Sequence, residues 1–154
     1  MPTKPGEIYW AAISEAFDAV DATDTPAKFD TQMARWPLHI RHLLAVHWCD
    51  AEVCNGGFAQ LFWNTTGIFA PIAAEACRAM KQQECADVIE EAMQRLGEAF
   101  LRNREAREAL LDKADPDFDD LNTRWFGHFP KKDGLNHALY VAMDKYAGAH
   151  AGKK

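Results

Sequence analysis

Val53-Cys54-Asn55-Gly56-Gly57-Phe58-Ala59-Gln60-Leu61-Phe62-Trp63-Asn64-Thr65-Thr66-Gly67 is the stretch whose reading decides the fold. A helix arriving through Trp48 and Ala51 leaves its last carbonyls without intrahelical partners. Asn55 and two glycines follow, residues that enter the left-handed region at little cost, so the helix is expected to break there. Phe58, Leu61 and Phe62 then recur at three- and four-residue spacing on one face of a new short helix, with Gln60, Trp63 and Asn64 on the opposite face. Thr65-Thr66-Gly67 reads as a second C-terminal glycine signal. An Asn-Gly pair between apolar runs also marks hairpins, but these flanks lack the alternation that strands need.

Working outward in both directions gives helices only. From Pro5, the residues Tyr9, Ile13, Ala16, Phe17 and Val20 form an apolar face, with Glu7, Ser14, Asp18 and Asp21 behind it. Asp24-Thr25 before Pro26 predicts a cap and a short helix holding Phe29 and Met33, ending before Pro37. Ile40, Leu43, Leu44, Trp48, Ala51 and Cys54 continue as a stripe into the glycines, with His47 inside the stripe. Pro71 opens a helix with Ile72, Ala76 and Met80, whose alanines predict close approach to a neighbour. Gln83 to Phe100 reads as the most regular helix, with Cys85, Ile89, Ala92, Met93, Leu96 and Phe100 inward and Asp87, Glu91, Gln94 and Glu98 outward. Arg102, Arg104 and Arg107 among Glu105 and Glu108 look like surface pairing along a helix.

Asp112, Asp115, Asp117, Asp119 and Asp120 then crowd around Pro116. The segment lacks the central glycine and closing glutamate of a calcium loop, and capping by Asp115 or Asp117 ahead of Phe118, Leu121 and Trp125 accounts for part of it. Gly127 to Gly134 reads as a connector. Leu135, Ala138, Leu139, Ala142, Met143 and Tyr146 line a last helix, and 148–154 should fray. The expected architecture is all-α: a single compact multi-helix domain over 1–154, with about six to eight helices and a break at the double glycine.

Composition narrows the function classes. The chain has 154 residues, 48% hydrophobic, and a formal net charge of −6. That charge argues against direct binding to nucleic acid or to an anionic membrane, both of which reward excess lysine and arginine. No apolar run reaches about eighteen residues and no secretory leader is visible, so a cytoplasmic address is expected. Cysteines 49, 54, 77 and 85 lack zinc-ribbon spacing and are expected to be reduced, buried thiols. His39 and His42 lie three apart without a partner to complete a metal site, and no cofactor motif is present.

Asn55-Gly56-Gly57-Phe58, with Gln60, the aromatic pair Phe62-Trp63, Asn64 and Gly67, resembles a bacterial domain-of-unknown-function family that includes the C-terminal domain of a DNA-mimic protein. The resemblance is strongest over 37–147. It implies a shared helical fold, and a relative that presents carboxylates where a DNA-binding protein expects phosphates, with no catalytic residues to carry over. Two functional readings stand side by side. In the first, a non-enzymatic interaction domain engages a basic protein, in the manner of a DNA mimic, through Asp18, Asp21 and Asp24, through Glu84, Asp87 and Glu91, and through Asp115, Asp117, Asp119 and Asp120. Each row also reads as ordinary solvated surface. In the second, His47, Glu52, Gln60, Trp63 and Asn64 converge on a ligand pocket or an enzymatic site near the exposed amides of the glycines. Against that stands a structural reading: His47 as a neutral core imidazole, Asn55 as a cap, Gln60 and Asn64 as ties to the turn, and Trp63 as packing. A homodimer is compatible with the aromatic content and the resemblance.

Overall fold

The computed structural model describes residues 3–23, 25–128, 131–132 and 135–153. Its axis is α3 (Leu38–Trp63), which is broken at Gly56 (φ −151°, ψ 19°) and Gly57 (φ 75°, ψ −175°). The break falls on the two glycines alone; Asn55 stays helical and exposed. Around α3 lie α1 (Glu7–Ala19), α2 (Pro26–Met33), α4 (Ala70–Ala79), α5 (Gln83–Leu96), α6 (Arg104–Ala114), α7 (Asp119–His128) and α8 (His137–His150). A 3-10 turn, Thr65–Phe69, links α3 to α4. Lys131–Lys132 (β1), inside the expected connector, and Leu135–Asn136 (β2), just beyond it, form a minimal antiparallel ribbon, so Leu135 pairs as a strand instead of opening the last helix.

The first arm of α3 is buried on most of its circumference, at His39, Ile40, His42 to Val46, Cys49, Asp50 and Val53, because α1, α4, α7 and α8 all pack on it. A single stripe was therefore too narrow an expectation: Cys49 lies in the core and Ala51 faces solvent. On the second arm, Phe58, Leu61 and Phe62 are fully buried and Trp63 is 42% exposed, as the spacing predicts. In α4, Ala70, Ala73, Ala74 and Ala76 are buried, and small side chains let it pack closely between α3 and α5. All four cysteines are free; Cys49, Cys77 and Cys85 are buried and Cys54 is half-buried.

Further boundaries differ from expectation, among them the connector: α7 runs on through Gly127 to His128. Helix α5 stops at Leu96, four residues before Phe100, with the chain turning extended at Gly97. Phe100 nevertheless packs inward against Phe62, with ring centroids 6.1 Å apart. Gly67 is not a helix cap but lies inside the 3-10 turn, where a Cβ would sit 2.7 Å from the Leu61 carbonyl oxygen and 2.9 Å from the Arg107 guanidinium. At the C-terminus, α8 continues through Gly148 to His150, where fraying was expected. The His150 ring stacks near His39, with centroids 5.5 Å apart, and its Nδ1 lies 2.9 Å from the Tyr146 carbonyl.

Thr25 caps α2 by accepting a hydrogen bond from the Lys28 amide. Asp117 accepts from the Asp119 amide at the start of α7 (2.9 Å), one of the two capping roles read from sequence. Asp115 instead ends α6 in the left-handed region, at φ 41°.

Candidate functional site

The break in α3 exposes the first amides of its second arm, and a distant residue caps one of them. Asn122 on α7 accepts a hydrogen bond from the Phe58 amide at 3.0 Å. The same side chain lies against Gly57, where a Cβ would be 2.6 Å from Asn122 Nδ2. The positive φ and this close approach both require glycine there.

Glu52, Gln60 and Asn64, three of the five candidate pocket residues, do come together. One carboxylate oxygen of Glu52, Oε2, accepts from Gln60 Nε2 and from Asn64 Nδ2, each at 2.8 Å. The carboxylate sits on one side of the break and both amides on the other, so the three side chains form a clasp across it. Trp63 does not join the clasp; it points outward, and its carbonyl accepts from Arg104 Nε at 3.0 Å.

His47 belongs to a separate group. Its Nδ1 lies 3.1 Å from the Tyr9 hydroxyl, and its ring packs among Tyr9, Trp10, Phe17 and Trp48. Burial holds the imidazole below its usual pKa, against a smaller opposing pull from Asp50, so it is neutral at pH 7. A shallow concavity of about 430 Å³ opens beside it, walled partly by Gly6, Tyr9, Trp10 and Tyr140. Deeper in lies Asp50, 1% exposed, which accepts from Trp125 Nε1 (3.0 Å) and the Tyr140 hydroxyl (3.1 Å) and faces the Cys54 thiol at 3.4 Å. Desolvation by burial, reinforced by Asp50, pushes both tyrosine hydroxyls well above their usual pKa. The group therefore ties α1, α3, α7 and α8 together through neutral donors.

Arg107 departs furthest from its sequence reading. It is fully buried instead of lying on the surface. Its guanidinium donates to the carbonyls of Phe62 (3.1 Å), Asn64 (2.8 Å), Leu101 (3.1 Å) and Arg102 (2.7 Å). Two of these close the C-terminal end of α3, where the helix dipole favours a cation. Burial, and then Arg104, pull its pKa down to about 10, which leaves it charged at neutral pH. Arg104 does pair along the helix surface, with Glu108 at 2.8 Å, and Arg102 reaches across to Asp30. Asp50, Asn122 and Arg107 were not recognised as site-forming in the sequence. The partners that make each of them part of a site, Trp125 and Tyr140 for Asp50, Phe58 for Asn122, Phe62 and Asn64 for Arg107, lie far away along the chain, and nothing in the local pattern marks them.

The acidic rows differ in kind. Asp18 is exposed on α1; Asp21 is exposed and held by the Thr23 hydroxyl and amide, which depress its pKa. Asp24 lies outside the described residues. On α5 and α7, which pack together, Glu84, Asp87, Glu90, Glu91, Asp119 and Asp120 face only Arg95 and Arg124 from their own helices, a net of −4. Arg124 joins Glu84 (2.7 Å) to Glu91 (2.9 Å), and Arg95 joins Glu91 (2.6 Å) to Asp120. From α4, Arg78 bonds Glu90 and stands 3.8 Å from Asp87. These hydrogen bonds hold Asp120 down to about 2 and Glu91 below its usual range. Arginine braces thus fix Glu84, Asp87, Glu90, Glu91 and Asp120 along this face. Among the described residues, no cluster of three or more His, Cys, Asp or Glu side chains has metal-holding geometry.

A broken central helix, clasped by Glu52 and closed by a buried arginine, defines an all-helical domain that carries an arginine-braced acidic face. The chain belongs to the DMP19-like protein family, whose pattern matches residues 34–150. No match was found among curated proteins or among solved structures. Among the described residues, no helix is long and apolar enough to cross a membrane.

Proposed function

We propose that this domain is a protein-interaction module that engages a basic, DNA-binding partner through the α5–α7 face, using carboxylates where DNA would offer phosphates. The supporting observation is the brace: Arg95 and Arg124 link Glu84, Glu91 and Asp120 into one fixed, ionised array. Arginines that hold carboxylates in place reduce the side-chain ordering that binding would otherwise require. A net charge of −4 over two packed helices, within a chain of −6, would steer a basic partner and reject nucleic acid. A ligand site at the double glycine is the weaker reading, because the amides of Gln60 and Asn64 are already spent on Glu52.

The test is affinity capture from cell extract at low and high salt, with the native chain and a Glu84→Gln, Asp87→Asn, Asp119→Asn variant. The expected result is a DNA-binding protein that is released by salt, displaced by duplex DNA and missing from the variant's eluate. Equal capture by the variant, or partners with no basic DNA-binding surface, would refute the proposal.

A further inference from the structure

A second feature lies apart from the acidic face, where α8 runs beside the turn that joins α4 to α5. A groove of about 520 Å³ opens there, with Met80 and Lys81 on one side and Ala138, Val141, Ala142 and Lys145 on the other. Its surface is mainly apolar, and Val141 is 48% exposed in it. Among the described residues that line it, the charged side chains are Lys81 and Lys145, and no carboxylate joins them.

Those two ammonium groups stand apart from the other cations of the chain. Arg78, Arg95, Arg102, Arg104 and Arg124 are each held by a carboxylate, whereas among the described residues no ion pair holds Lys81 or Lys145. Two carboxylates of the bordering helices are turned elsewhere: Asp144 accepts from the amides of Gly6 (2.7 Å) and Tyr9 (2.9 Å), and Glu75 faces His42 Nε2 at 3.4 Å. Lys81 also sits where the backbone favours glycine. Helix α4 ends in a left-handed turn, in which the Gln82 amide donates to the Cys77 carbonyl at 2.7 Å and the Lys81 amide to that of Arg78 at 3.0 Å. Lys81 takes the left-handed conformation itself, at φ 60°. A side chain there costs backbone energy that glycine would avoid, and the one present brings an ammonium to the groove wall.

We infer that this groove binds a single-chain fatty acid. The alkyl chain lies along the apolar strip of α8, against Met80, and the carboxylate is drawn to Lys81 and Lys145. From Ala138 to Ala149 the helix rises about 16 Å, close to the length of an extended dodecyl chain. An acidic peptide fits less well, because alanine, valine and methionine offer its backbone no hydrogen bonds, and the Tyr146 hydroxyl is already engaged with His42 Nδ1 at 2.8 Å.

The probes are octanoate, decanoate and dodecanoate, kept below their micelle-forming concentrations, with dodecyl maltoside and dodecyltrimethylammonium as neutral and cationic matches. The readout is an amide chemical-shift titration of the ¹⁵N-labelled chain. Saturable shifts should gather at Gln82, Val141, Ala142 and Lys145, and binding should tighten about two- to fourfold with each added methylene. Dodecanoate should bind at least about fivefold tighter than either match. Lys81→Gly should weaken dodecanoate about two- to fivefold while holding or raising the urea midpoint, a combination that a merely structural lysine would not give. Val141→Asp, on the exposed side of α8, sets a carboxylate in the groove and should abolish binding. The inference is overturned if no acid gives a saturable shift at these residues, if either match binds as well as dodecanoate, or if Lys81→Gly or Val141→Asp binds dodecanoate as the native chain does.

Discussion

With φ at 75° and Asn122 pressed against its α-carbon, Gly57 has no room for another residue. Gly57→Ala should cost about 2 kcal/mol or more, from the left-handed backbone and the displaced Asn122 together. Gly57→Val should cost more still. Gly56→Ala is the control: its φ of −151° suits any residue, but the new Cβ would crowd the Gln60 side chain and loosen the clasp. A loss of about 1 kcal/mol is expected there. Urea denaturation of the three variants checks the order, and an unchanged Gly57→Ala would contradict this geometry. Arg107→Met should be worse than any of them, at about 3 kcal/mol or more, since four carbonyls lose their buried donor together. The histidines set a pH dependence. His39, His42 and His47 all titrate below 6.5 in the fold, so on acidification the unfolded chain takes up protons first. Stability is therefore full above that value and is lost as pH falls below it. The urea midpoint should drop between pH 7.5 and about 5.5, and His42→Gln should shrink the drop. The glycine break was legible in the sequence because backbone freedom is a local property. Asn122, 64 residues from Phe58, and Arg107, 45 from Phe62, were not, because their roles exist only once the helices have packed.

The two arms of α3 are held in register by contacts that belong to neither arm alone. Glu52 bridges the break from one side, and Asn122 of α7 supplies the missing cap from outside. Asn122→Ala should therefore act as an N-cap deletion, costing about 1 kcal/mol, and should raise the hydrogen-exchange rate of the Phe58 amide ahead of the amides in the first arm. A double-mutant cycle between Glu52→Ala and Gln60→Ala should show a coupling of about 1 kcal/mol; a coupling near zero would mean that the clasp is ornamental. Helix faces were legible at this scale. Phe58, Leu61 and Phe62 were placed inward by spacing alone, and so was Phe100, even though α5 ends at Leu96 and Phe100 packs from the non-helical chain that follows. Periodicity records burial and does not fully determine backbone conformation. The stripe read on α3 failed for the opposite reason: a central helix is wrapped by neighbours, so its buried face is too wide for one stripe.

For the whole molecule, the distribution of charge matters more than its total. The sequence offered several acidic rows of equal standing, and the fold separates them by their partners. Arg95 on α5 reaches Asp120 on α7, and Arg124 on α7 reaches Glu84 and Glu91 on α5, so both bond across the α5–α7 seam, which no i,i+4 rule reveals. The candidate pocket divided in the same way, into a clasp at Glu52 and an aromatic group around His47. The most direct test of the proposed role is a hydrogen-exchange footprint of the domain in complex with its captured basic partner. Protection gathered on residues 84–95 and 117–124, and fading as salt is raised, is the expected result. Protection confined to α1, α2 or α8, or a footprint indifferent to salt, would contradict it.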